Sequence, residues 1–310
     1  MRLPDGPPLW VVLAVLAALF QTARNGLAQS VASRISPALN SWSRFAFSLP
    51  WASLALLFVV STHGLPRLPP AFFACCAITA LAQLLGNVAL IAAFRSGRFG
   101  EAIVFHKLEV ILTAIVGAWW LAEWPSPRGA VGIAVCGLGV VVINLARTEG
   151  TRGLAGAFSF GHAGRLALAC AALLVVASFA LKRANGLVVA ANPALDGGGF
   201  AAPVQTLFHT TWMEVAILSA WIAWREPAAF RDVGRYAPRL ALIGAMGFLA
   251  SLGWFWAYSL TLVAYVKAVG QIEALIAVAL GLRWLGERTL LRQLPGIALV
   301  VVGMVLVLLD

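Results

Sequence analysis

Charge is what this chain lacks. Of 310 residues only 11% are charged, and Asp and Glu together number 12. A soluble domain carries roughly 25% charged residues, so a water-facing globular surface is excluded. Cysteine is scarce too: Cys75, Cys76, Cys136 and Cys170, each inside an apolar run. Adjacent Cys75 and Cys76 make a poor disulfide, and no CxxC or Cys/His cluster points to a metal. The four read as small buried hydrophobes. There is no P-loop, so ATP hydrolysis by this chain is unsupported. A nucleophile elbow and an HExxH motif are also missing, and no cofactor is implied.

What is present is apolar. The chain is 61% hydrophobic, with a mean hydropathy of +0.91. Gly, Pro and Arg punctuation divides it into ten spans: 9–30, 36–61, 70–94, 100–121, 127–146, 163–189, 201–224, 238–259, 262–285 and 290–309. About 20 apolar residues cross a ~30 Å hydrocarbon core. All ten are expected to be helices, because a helix satisfies its own backbone in lipid, and the alternation of a membrane barrel is absent. The fold class is therefore an all-α integral, multi-pass membrane protein with ten transmembrane helices. Leu9 to Phe20 could pass for a signal-peptide core. The first span ends in Asn25-Gly26-Leu27 and the sixth in Asn185-Gly186-Leu187, however, and a removable signal has no reason to match a repeat partner. The net charge of +10 is not a nucleic-acid signature. It sits mostly beside spans, where positive charge sets topology and meets anionic lipid.

Two segments repeat each other. Phe105-His106-Lys107-Leu108-Glu109 leads to Trp120-Leu121-Ala122-Glu123. Val269-Gly270-Gln271-Ile272-Glu273 leads to Trp284-Leu285-Gly286-Glu287. The echo continues at the same offset through Arg128 and Arg292, Gly132 and Gly296, and Gly139 and Gly303. The grouping is five helices plus five: residues 1–147, a connector 148–162, and residues 163–310. Five is odd, so the second repeat must cross in the opposite sense, giving inverted-topology repeats. The connector Thr148–His162 and the loop Asn192–Gly199 are the segments expected to be mobile. Loops after odd-numbered spans hold most of the Lys and Arg, Arg225, Arg231, Arg235 and Arg239 among them. The positive-inside rule then puts both termini outside.

The duplicated Glu…Gly-Glu helices, with Pro37 and Arg44 in the second span, resemble the drug/metabolite transporter superfamily, specifically its ten-helix EamA-type members. The resemblance covers nearly the whole chain. Val110 and Ala274 stand where the family usually has proline, and Ala122 stands where it has glycine; without those prolines a helix break at the glutamates loses its sequence support. Family members are commonly drawn with both termini in the cytoplasm, against the arginine count, so both orientations stay open. The resemblance implies a cavity lined by spans 1–4 and 6–9, with spans 5 and 10 as packing support.

Several ionisable groups lie inside spans, where a charge costs at least ~2.5–3.5 kcal/mol. Glu109 and Glu273 come first. They would bind a cation or ammonium, exchange protons, or set packing as ion pairs. His106 shares a helix face with Glu109 and lies next to Lys107; it would relay protons or be satisfied within the bundle. Lys267 and Gln271 are four apart on one face, and Glu273 lies about 120° around the helix from Lys267. Lys267 would bind a substrate carboxylate or phosphate, or pair with Glu109. Arg44, His209 and Glu214 are also intramembrane, each open to a binding or a structural role. Trp254 and Tyr258 would form a headgroup-level belt or a pocket wall that stacks on cations. Glu123 and Glu287 look interfacial, as caps or partners of Arg128 and Arg292.

These features point to a secondary transporter in a plasma membrane of the bacterial inner-membrane type. It would export a small organic solute (an amino acid, metabolite or drug-like compound) by alternating access, with protons as a possible coupling ion. The alternative is a membrane-embedded enzyme acting on a lipid, with His106, Glu109, His209 and Glu214 as acid/base groups. A non-transporting scaffold would leave the paired intramembrane charges unexplained. The partners expected are the small-molecule substrate and the lipid bilayer, with no nucleic acid.

Overall fold

The computed structural model describes residues 7–95, 102, 105–147, 161–195, 199–276, 279 and 290–310. Among them the regular structure is helical, with no strand. In chain order the helices are α1 (Leu9–Val31), α2 (Pro37–Ala46), α3 (Leu49–His63), α4 (Pro70–Arg95), α5 (Glu109–Trp120), α6 (Pro127–Arg147), α7 (His162–Ala191) and α8 (Ala201–Arg225). A 3-10 turn (Pro227–Phe230) then leads into α9 (Arg231–Leu260), α10 (Val263–Gly270) and α11 (Leu290–Leu308). Five stretches are long and apolar enough to cross a membrane: Leu9–Val31, Pro37–His63, Pro70–Ala93, His162–Ala191 and Pro227–Leu260. The exposed surface is apolar where a soluble protein would be charged: Leu57, Phe58, Leu85 and Val88 are all more than half exposed. Such a surface suits lipid.

The second, fourth, eighth and ninth spans differ from the sequence expectation, the fourth by a turn at Leu108. The second is bent. Pro37 opens α2, and Ser36 caps it by accepting from Leu39 N at 3.1 Å, as the preference for Pro at N1 and Ser at the N-cap requires. The helix then turns at Phe47 and Ser48 before α3. Pro50 has no N–H to give the Ala46 carbonyl, which explains the bend. Ser48 Oγ lies 2.6 Å from Arg44 O and 2.8 Å from Gly244 O. The eighth span begins at Arg231 rather than Pro238. That proline falls in the second turn, and Asp232 in the first turn favours the helix start. The ninth span is interrupted at Gln271. The loop after α7 is tied down as far as it is described. Asn192 accepts from Arg67 N at 2.7 Å and donates to Arg67 O at 2.9 Å. Residues 148–160 and 196–198 lie outside the described residues.

The chain forms two compact units: Met1–Leu81 with Ala180–Leu260, and Ala82–Phe179 with Thr261–Asp310. A compact unit is thus not the same thing as a sequence repeat. Each takes helices from both halves of the sequence, and α4 and α7 give residues to both units.

In the first unit α1 lies along α9, and α8 packs on α2, α3 and α9. Small residues allow the approach: a Cβ on Gly253 would sit 2.9 Å from Ala17 Cβ. In the second unit α6 packs on α11. A Cβ on Gly132 would meet Gly303 O at 2.8 Å, and one on Gly139 would meet Gly296 O at 2.8 Å. As position rises on α6 it falls on α11, so the two helices run antiparallel. Between lipid-facing helices, close van der Waals packing replaces the hydrophobic effect as the driving force. Repeat-related glycines supply it here.

Candidate functional site

The second unit gathers six of the residues singled out from the sequence: His106, Lys107, Glu109, Lys267, Gln271 and Glu273. They sit at two helix interruptions. Residues 105–107 are helical, Leu108 is a turn with φ −62° and ψ −12°, and α5 starts at Glu109. In the matching segment α10 ends at Gly270, Gln271 is a turn with φ −64° and ψ −6°, and residues 272–276 are helical. An α-helix has ψ near −42°. Both turns are therefore tightened toward 3-10 geometry, without any proline. This corrects the expectation drawn from Val110 and Ala274. Gln271 shows the mechanism. Its N–H donates to Ala268 O at 3.1 Å, one residue short of the α-helical partner. The carbonyl thus released, Lys267 O, is taken by the Gln271 side-chain amide at 3.1 Å. A side chain completes what the ladder gives up.

Lys267 Nζ forms an ion pair with Glu109 Oε1 at 2.5 Å; the lysine side chain is 7% exposed and the glutamate 20%. Lys267 Nζ also lies 3.5 Å from Leu174 O on α7. Lys107 Nζ donates to Gln271 Oε1 at 3.4 Å. Lys107 and Gln271 are repeat equivalents, so a local two-fold relation passes between them. The relation is broken one turn away. Glu273 is the equivalent of Glu109, but the equivalent of Lys267 is Ile103, which carries no charge. Glu273 is half-buried at the start of the helical stretch 272–276. His106 Nδ1 lies 3.6 Å from Cys170 Sγ on α7. Glu123 caps rather than lines the cluster: its Oε2 accepts from Val263 N, at the start of α10, at 3.1 Å. Glu287 lies outside the described residues. Among the described residues no group of three metal-ligating side chains forms.

The other five belong to the first unit. The Arg44 guanidinium lies over the Phe45 ring, 4.7 Å from its centroid. His209 is ringed edge-on by Phe72, Phe73 and Phe208 at 5.2, 5.3 and 5.2 Å. Its Nδ1 is 2.8 Å from Gln205 O, and a carbonyl can only accept, which puts the proton on Nδ1. Trp254 stacks on Tyr258 at 6.2 Å and donates to Gln21 Oε1 on α1 at 3.1 Å. Tyr258 is buried and Trp254 half-buried against its neighbours in the unit. Glu214 is 2% exposed, and no protein group hydrogen-bonds its Oε1.

A family match covers residues 8–145 and, a second time, residues 166–309. The chain belongs to the EamA-like transporter family. It is an integral multi-pass membrane protein of the drug/metabolite transporter type, and the family implies a small-molecule substrate and a lipid bilayer around it. A solved crystal structure of a protein 17% identical covers 96% of this chain and 95% of its own, with a TM-score of 0.70. That likeness concerns the fold alone. No curated protein matches with significance.

One departure from the family pattern has a visible consequence. Ala122, where the family has glycine, adopts φ +53°. Glu123 N donates to Gly117 O at 2.9 Å and Leu121 N to the same oxygen at 3.1 Å. The chain thus folds back over the end of α5 through a residue in the left-handed region, which usually takes glycine at a helix end. Sequence reasoning passed over Gln21 and the threonines Thr206 and Thr210, and read Cys170 only as a small buried hydrophobe. The threonines left a trace: with Glu214 they recur every fourth residue along α8.

Proposed function

We propose that this protein is a secondary transporter that exports a small organic solute, such as an amino acid, a metabolite or a drug-like compound. It works by alternating access in a plasma membrane of the bacterial inner-membrane type. Residues 1–147 and 163–310 are its two repeats, in inverted topology. The antiparallel crossing of α6 and α11 supports the inversion, since these helices occupy the same place in each repeat.

The observation that carries the proposal is the Lys267–Glu109 pair at two repeat-related helix interruptions. Interrupted helices at membrane depth are where transporters of this kind bind solutes and ions. Two charges taken out of water need each other, and separating them leaves either one uncompensated. A solute with a charged end removes that obstacle by replacing one partner. An ammonium takes Glu109, and a carboxylate takes Lys267. Gln271, Lys107 and His106 supply neighbouring polar contacts, and the tightened turns at Leu108 and Gln271 give α5 and α10 places to bend. Glu273 offers a second carboxylate at the equivalent position.

Uptake and counterflow in proteoliposomes test the proposal, with labelled amino acids and small organic cations, with and without a pH gradient. Saturable counterflow that Lys267→Met abolishes is the expected result. Flux equal to wild type in that variant would remove the ion pair from the transport path.

A further inference from the structure

The helix α8 is polar for a membrane span. Its 25 residues reach about 38 Å at ~1.5 Å per residue, long enough to cross, yet it is not among the five stretches that qualify by hydropathy. The cause is Gln205, Thr206, His209, Thr210, Thr211 and Glu214. All of these except His209 are at least 97% buried. Thr206, Thr210 and Glu214 lie four apart, on one face, and span ~12 Å along the axis.

Their hydrogen bonding is unusual within this molecule. Helical threonines normally satisfy themselves by donating to the carbonyl one turn back. Thr22 does so to Ala18, Thr62 to Phe58, Thr79 to Cys75 and Thr113 to Glu109, at 2.8, 2.8, 2.8 and 2.7 Å. Thr206 Oγ1 and Glu214 Oε1 have no protein partner, and Thr210 Oγ1 faces no oxygen or nitrogen group, only the weakly hydrogen-bonding Cys76 thiol. Two unpaired oxygens, with the Thr210 hydroxyl between them, therefore line the buried face of α8. Each such group costs on the order of 1–3 kcal/mol unless something satisfies it.

We infer that Glu214, continued by Thr210 and Thr206, is an intramembrane proton-binding site and the coupling carboxyl of the transporter. Glu109 is committed to Lys267, whereas Glu214 stands in mid-helix without an ion-pair contact. An uncompensated carboxylate at that depth is costly, and taking up a proton removes the charge. Thr206 and Glu214 are too far apart to ligate one metal ion. Hydroxyls both donate and accept, so a threonine row suits proton passage rather than cation coordination.

The surroundings agree. The helices packed against α8 carry Arg44 on α2, His63 on α3, Cys75 and Cys76 on α4, Lys182 and Arg183 on α7, and Arg231, Asp232, Arg235, Tyr236, Arg239 and Tyr258 on α9. The Cys76 thiol borders Thr210. His209 and Arg225 share α8 itself. Among these the charge that acts on Glu214 is Arg44, and it is engaged over Phe45. A fixed positive charge near the site, without contact, would help the proton leave again.

The inference rests on the transporter proposal for its coupling role, but its test needs no solute. Infrared difference spectra of the full-length protein in detergent micelles, titrated with acid, read protonated carboxyl groups directly. A protonated-carboxyl band lost in Glu214→Gln is expected. A titration identical in wild type and Glu214→Gln would overturn the assignment. Should Glu214→Gln not elute as a monodisperse protein, Thr210→Val takes its place: a displaced midpoint supports the site and an unchanged one overturns it. A Glu214 band in a protein that moves no solute would leave the proton site standing and refute the transporter proposal alone.

Discussion

Removing one charge from the Lys267–Glu109 pair should hurt more than removing both. At 2.5 Å the Coulomb attraction is roughly 6–7 kcal/mol for an effective dielectric constant near 20. Desolvation of the two ions costs several kcal/mol each and offsets most of it. The net stabilisation by the pair is therefore small, but an orphaned member pays its desolvation without compensation, typically about 3–5 kcal/mol. Glu109→Gln leaves Lys267, only 7% exposed, and should fall at the upper end. Lys267→Met leaves Glu109, 20% exposed and so partly hydrated, and should fall at the lower end. The double variant should return to within about 1 kcal/mol of wild type. Denaturant titration in mixed micelles, followed by tryptophan fluorescence, gives the double-mutant cycle. Additive losses would refute the reasoning, since they would mean that neither charge depends on the other.

Four further outcomes follow from packing and backbone geometry. Ala122→Gly should stabilise the protein by about 1 kcal/mol, because the left-handed conformation penalises a Cβ; an unchanged midpoint in the same titration would contradict the cap geometry. Gly139→Ala should destabilise by at least ~1–3 kcal/mol, since its Cβ would meet Val300 N at 2.6 Å. Gly186→Ala, with nothing within 4 Å, should be stabilising by about 0.5–1 kcal/mol as an ordinary helix substitution, and equal effects at the two glycines would remove the close crossing. Ser48→Ala should cost about 0.5–1.5 kcal/mol by stripping the bend of its bond to Arg44 O or Gly244 O, with no loss expected if the bend were held by Pro50 alone.

Composition and repetition made the broad outline legible. Scarce charge and long apolar runs leave little but helices in lipid, because only closed backbone hydrogen bonding survives there. The shared offset from Lys107-Leu108-Glu109 to Gln271-Ile272-Glu273 marked the cluster at which the two repeats meet in the second unit. Pro37 marked a helix start correctly because its ring fits the first turn. Pro238 misled as a boundary because a second-turn proline can be accommodated within a helix.

Other features required three dimensions. No local pattern says that Lys267 reaches Glu109 rather than solute, since the partners are far apart in sequence and the choice depends on how α10 lies beside α5. The turns at Leu108 and Gln271 lack the proline that would announce them, and at Gln271 a side-chain amide replaces a backbone donor. Likewise, Thr113 and Thr210 are the same residue type, each within a helix, yet one hydroxyl folds back onto its own helix and the other does not. By itself the sequence determined an all-helical, twice-repeated membrane protein, because periodicity and hydropathy are local properties of the chain. Only the tertiary structure decided which intramembrane charges are paired and which oxygens remain without a partner, because pairing is a matter of distance between elements that the linear order does not contain.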